Sequence, residues 1–256
     1  MKRFKIEDSK KHKKHKKDGE PTNSFILQLE IKSKSKGTMN KSTMNKSTEF
    51  RFGWSFSDPQ KQALSHMAPI EAFLFEGRVF TSVECAYQDV HMRMLDPHVA
   101  AAARDLVSKA LGVDRSFMAK SLASKAGFAQ LAKAIGAYPT LAAAQRAYAS
   151  MQTHWWACNI HVMAQLDFIK FSTSASSRHA LLGTSYAQLK ESGRGRGMWV
   201  AAGGNMAGVL VQAVRDHLLV TRDDGEEASI QARAIQFADV FVAREDVRSI
   251  VHGFSR

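Results

Sequence analysis

The chain has 256 residues, 45% of them hydrophobic, enough to bury one sizeable core. No apolar run approaches the roughly 18 to 20 residues that a bilayer span needs, and the lysine-rich start lacks the apolar stretch of a secretory signal, so a cytoplasmic protein without a membrane segment is expected. The formal charge of +12 points to a polyanionic partner, but residues 1–50 hold 13 Lys and 1 Arg against 6 acids, a net +8 that leaves only +4 for the body.

Taken in chain order, residues 1–50 form a basic arm of Lys, Ser, Asn, Thr and His, with KKHKKHKK at Lys10 to Lys17 and a tandem TMNKS repeat from Thr38. Such a segment buries too little apolar surface to offset its chain entropy, and disorder is expected apart from a short strand at Ser24 to Ile31. Beyond Arg51 the usage turns to Ala, Gly, Arg and Val, as though two coding sources had been joined. The lysine cluster reads most simply as a solvated run, with non-specific contact to nucleic acid as the alternative.

Residues 54–222 read as one mainly α domain with a small β-hairpin. The runs AFLF and RVF around Glu76-Gly77 predict that hairpin, the one strand signal in the body. SVECAYQDVHMRML predicts a helix halted by Pro97, and Asp96-Pro97 opens the next, to about Leu111. One further helix is expected over Thr140 to Ser150 and another over Thr153 to Phe171, with Trp156, Ile160 and Met163 on its apolar side. Ala207, Leu210, Val211, Val214 and Leu218 share one face of the last body helix. Residues 223–256 are expected to pack on the domain as a helix and a strand or loop. Cys85 and Cys158 lack paired spacing, the histidines lack ligand spacing, and neither a disulfide, a metal nor a cofactor is expected.

Chemistry concentrates in a few places. Glu84, Tyr87, Gln88 and His91 fall at i, i+3, i+4 and i+7 and share one helix face, as a nucleoside site requires. The competing reading is a capping box, Thr81 with Glu84, in which the carboxylate only satisfies backbone donors. Gly203, Gly204 and Asn205 precede the last body helix, where amides and the helix dipole suit a phosphate, although Asn205 also reads as a plain N-cap. The GRGRG run at Gly193 to Gly197 reads as a phosphate grip or a surface loop, and Trp199 beside it as a stacking face for a base.

These blocks, in this order from Ala63 to Leu219, resemble the NADAR family of N-glycosidases that act on ADP-ribose-linked and ribosyl-phosphate substrates. LSHMAPIEAFLFEGRVFTSVECAYQDVHM is similar to the family's opening. Trp155, Lys170-Phe171, the LLGTSYAQLKES segment with Glu191, and GGNMAGVLVQAVRDHL follow as they do in the family. The resemblance implies hydrolysis of a ribosyl N-glycosidic bond, with Glu84 stabilising the cation at the anomeric carbon and His91 as second catalytic group. It implies that Ser65, His66, Tyr87, Gln88, Trp199, Gly203, Gly204 and Asn205 bind substrate. Where the family reads Trp-Gly-Asp-Gly, this chain reads Trp199-Val200-Ala201-Ala202. His66, Cys85 and His91 stand where the family has Asn, His and Lys. The alternative is therefore a lapsed member that binds nucleic acid in a nucleoprotein assembly through its arm.

Overall fold

Cap chemistry at two residues frames the front of the molecule, whose structure, a computed structural model, describes residues 49–185, 187–192, 198–200, 203–221 and 227–254. Ser82, in extended conformation, accepts a hydrogen bond from the Cys85 amide and starts α2 (Val83–Leu95). Asp96 ends α2 and accepts from the amides of His98 and Val99 to start α3 (Pro97–Ser108), three residues shorter than expected. Ahead of them β2 (Phe73–Phe75) and β3 (Arg78–Phe80) pair antiparallel, Phe73 opposite Phe80. Glu76 and Gly77 both have positive φ, the tight turn whose twist matches its strands.

Beyond α3 lie two helices with no counterpart in the sequence reading, α4 (Asp114–Leu122) and α5 (Lys125–Ala134), and before β2 a short α1 (Pro59–Ala63). The two helices expected over 140–171 are one, α6 (Leu141–Thr173), of 33 residues. No Gly or Pro interrupts that stretch, and helices pack along its length: α5, α2, α8 (Met206–Val220) and α9 (Glu227–Ala243) all touch it. Of the expected apolar side, Ile160 and Met163 are buried, whereas Trp156 is 55% exposed and its neighbour Trp155 is buried instead.

After α7 (Ala175–Leu182), β4 (Gln188–Glu191) pairs in parallel with β1 (Glu49–Phe52), Phe52 opposite Glu191. This second sheet is a correction to the hairpin-only expectation. Each strand has four residues, half or more of them charged or amidic, and is held by burial of Phe52 and Leu189 rather than by any β-rich run.

In α8 (Met206–Val220) the five expected apolar positions are all buried, the four Leu and Val side chains contributing roughly 1.5–3 kcal/mol each. The described part of residues 223–256 holds two helices rather than a helix and a strand or loop: α9 (Glu227–Ala243), which packs on α6, and α10 (Glu245–Phe254). Residues Asn45–Arg256 form one compact, mainly α unit with these two small sheets. Among the described residues no helix is long and apolar enough to cross a membrane. The expected disorder of the arm, its strand at 24–31 and the GRGRG loop fall outside the described residues.

Candidate functional site: an acidic, aromatic-walled hollow

Two buried charges in the middle of α6 organise the site. Asp167 and Lys170, one helical turn apart, are both fully buried. Asp167 Oδ2 lies 2.9 Å from His66 Nε2, and Lys170 Nζ donates to the Ser65 carbonyl at 2.8 Å. The His66 carbonyl in turn accepts from the Glu84 amide at 3.0 Å, so the Ser65-His66 loop is clamped between α6 below and the start of α2 above. The bonds these polar groups make to one another offset much of the cost of burying them, with Asp167 Oδ1 left buried and without a hydrogen-bond partner.

The clamp closes one end of a cavity of about 820 Å³. The face of α2 predicted from its spacing forms a wall: Glu84, Tyr87, Gln88 and His91 all line it, with Ser65, His66 and Trp199. Glu84 makes no capping box. Ser82, not Thr81, caps α2, and the buried Glu84 carboxylate instead accepts from Gln88 Nε2 at 2.8 Å and pairs with Lys120 Nζ at 3.6 Å. Lys120 comes from α4 and is largely exposed, a cation at the mouth.

Aromatic rings make the other walls. Tyr87 lies against Trp155 with centroids 4.7 Å apart and meets Trp199 edge-on at 6.1 Å. His91 stacks on Trp155 at 4.6 Å and 14°, with Tyr148 edge-on at 5.7 Å. Burial among these rings pushes the His91 ring down to a pKa of about 4, against the effect of Gln152, so it is neutral near pH 7. His91 Nε2 and Gln152 Oε1 are buried without hydrogen-bond partners, both on residues that face the cavity. Phe117 and Trp156, about half exposed, flank the opening.

A second carboxylate enters at the end of β4. Glu191 is raised above the ordinary glutamate range, first by burial and then by the charges of Glu84 and Asp167, with His66 and Lys120 opposing. Burial disfavours the charged form of His66, yet Asp167 and Glu191 raise it overall. Lys170 is lowered to about 8 by burial, against Asp167 and Glu191. The cavity therefore holds one carboxylate that accepts hydrogen bonds and another biased toward its proton.

Gly203, Gly204 and Asn205 do not line the cavity. The amides of Gly203 and Asn205 donate to the Val200 carbonyl, and those of Met206 and Ala207 to Met198 and Trp199, so much of the helix terminus is spent on the preceding turn. Asn205, at φ +53°, donates from Nδ2 to the Leu189 carbonyl at 3.0 Å and accepts at Oδ1 from the Glu191 amide at 3.2 Å. Its observed work is to dock α8 on β4 and thereby hold Glu191. Gly208 is needed beside it, because a Cβ there would stand 2.2 Å from the Leu189 carbonyl oxygen.

Sequence reasoning had given no role to Asp167, Lys170, Lys120 or Gln152, of which only Lys170 had entered it, as part of the resemblance. For the first two a signal existed, since charges three residues apart inside the apolar run VMAQLDFIKF must be either buried or disruptive. Lys120 and Gln152 reach the cavity from α4 and α6 with nothing local to mark them. Among the described residues no group of three or more His, Cys, Asp or Glu is placed to hold a metal. Compared with known families, curated proteins and solved structures, the chain matches none.

Proposed function

We propose that this protein hydrolyses the N-glycosidic bond of a ribosyl conjugate, an ADP-ribosyl or ribosyl-phosphate compound, in the acidic hollow. The observation that carries this reading is the pairing of Glu84 with Glu191 in one ring-walled cavity. Cleavage of a ribosyl–base bond sends its electron pair to the base nitrogen and leaves positive charge on the anomeric carbon. Glu84 lies where its carboxylate would stabilise that charge and orient a water, while Glu191 would deliver the proton the leaving base needs. A carboxyl raised by burial, as Glu191 is, is the means by which such a site supplies an acid near neutral pH.

The rings of Tyr87, Trp155 and Trp199 suit a flat base, and the unpaired His91 Nε2 and Gln152 Oε1 suit its polar edge. Neutral His91 serves as a donor or acceptor to substrate rather than as an acid. With the amides of the α8 terminus already engaged, Lys120 is the cation for a phosphate. The family resemblance points the same way through Glu84, Tyr87, Gln88 and Glu191. A second reading, a lapsed enzyme that binds nucleic acid, is favoured by the arm's charge and by Val200-Ala201-Ala202 in place of an acidic turn.

Mass spectrometry after incubation with ADP-ribosylated DNA, NAD and riboflavin-pathway intermediates tests the first reading. Release of free base that Glu84→Gln and Glu191→Gln each abolish is expected. Absence of any product from all these conjugates sinks it.

A further inference from the structure

A smaller hollow of about 260 Å³ opens on the neighbouring face of α2, between α2, α3, α4 and the end of β3. Its floor is Ala100 and Ala103 from α3, Ala119 from α4, and Cys85 and Met92 from α2, all buried. The space exists because α3 presents alanine at both Ala100 and Ala103, where larger side chains would fill it. This hollow shares Gln88 with the acidic cavity but needs none of its chemistry.

The walls are positively charged beyond what the protein neutralises. Asp89, with a side chain 3% exposed, is shared by three guanidiniums: Arg78 at 3.0 Å, Arg93 at 2.9 Å and Arg104 at 2.9 Å. Arg93 also reaches Glu76. Arg115, half-buried, donates from Nε to the Ala110 carbonyl at 2.7 Å and more weakly to that of Ser108, and among the described residues no carboxylate lies within ion-pair distance of it. Four guanidiniums thus meet two carboxylates; the charged residues that line the hollow are Arg104, Arg115 and Asp89, whose carboxylate is already shared by three guanidiniums. A guanidinium fork beside an apolar floor is matched by an anion carried on an apolar body.

We propose that this hollow is a binding site for a small organic carboxylate, its apolar body on the alanine floor and its carboxylate across Arg104 and Arg115. Size agrees: a void of ~150 Å³ accepts benzene, which leaves room here for a ring with a short acidic arm. It is too small for the ~300–1,000 Å³ expected of a drug-sized ligand, so a dinucleotide is excluded.

Isothermal titration of the full chain with phenylacetate, 2-phenylethanol and inorganic phosphate separates the two halves of this recognition. Saturable binding of phenylacetate is expected, with the neutral alcohol and the bare phosphate each at least about tenfold weaker. Arg115→Gln should weaken phenylacetate by about tenfold or more, and Ala103→Leu, which fills the floor, should remove binding, both with a cooperative melt retained. Should either variant fail to fold, amide chemical shifts of the parent decide: phenylacetate must displace those of Cys85, Ala103 and Ala119. Equal binding of acid and alcohol, unchanged binding in a folded Ala103→Leu, shifts confined to other residues, or no binding at all overturns the assignment.

Discussion

Glu84 accepts a hydrogen bond from the Gln88 side-chain amide of its own helix and pairs with the Lys120 ammonium from α4. Glu84→Gln keeps the shape and the contact to Gln88 but removes the charge. On the N-glycosidase reading, turnover should fall by about 10²–10³-fold with KM little changed, as when a group aimed only at the transition state is lost. Steady-state kinetics beside a thermal melt would separate this from misfolding. His91 yields a prediction about stability. It is neutral in the fold down to about pH 4, whereas the unfolded chain takes up its proton near 6.5. Between those values the unfolded state binds more protons, so stability is present above pH 6.5 and drains away as the pH falls toward 4. His91→Phe keeps a ring on Trp155 and removes the titration. Urea melts at pH 7 and pH 4.5 should show a smaller acid loss in the variant, by on the order of 2 kcal/mol. An identical loss would assign the acid sensitivity to other groups.

At the scale of elements, what could be read from the sequence and what could not divide along a physical line. Helices α2, α3 and α8 announce themselves, because a stop or cap residue sits at a boundary and a run of apolar spacing lies between. So does the hairpin, through Glu76-Gly77. The face of α2 that lines the cavity followed from helical spacing alone, since 3.6 residues per turn fixes which side chains align. The unity of α6 did not follow, because its two halves are apolar toward different partners and only the assembled fold shows that nothing breaks between them. Strands β1 and β4 were hidden for a related reason: their partners are about 140 residues apart, and non-local pairing leaves no local mark. Asn205 was legible as a helix-start residue, while its grip on β4 needed the tertiary structure. Gly208→Ala tests that junction. With the Leu189 carbonyl and the Asn205 amide both in the way, α8 must retreat from β4, at a cost of about 1–3 kcal/mol. Calorimetry should show Tm lower by several degrees, and an unchanged Tm would mean the approach of α8 to β4 is not tight.

For the whole molecule, charge and chemistry are carried by different stretches of chain, and this separates the two functional readings. The carboxylates and rings belong to Asn45–Arg256, whereas residues 1–50 hold +8 of the +12 total. Deletion through Met44 is the informative cut, since a deletion through Phe50 would remove half of β1 and loosen β4, which carries Glu191. If the six lysines of Lys10 to Lys17 contact phosphates, the affinity of the full chain for duplex DNA should fall with salt with a log–log slope of about −5. Removing residues 1–44 should bring that slope close to zero. The same deletion then distinguishes delivery from catalysis. An arm that only gathers a polymeric substrate raises KM for ADP-ribosylated DNA when lost, and leaves kcat and the hydrolysis of a small ribosyl conjugate untouched. In a lapsed enzyme, no small conjugate turns over with or without the arm, and DNA affinity alone responds. A salt slope that survives the deletion would move the nucleic-acid contact onto the body, where Lys120 at the cavity mouth is the first residue to substitute.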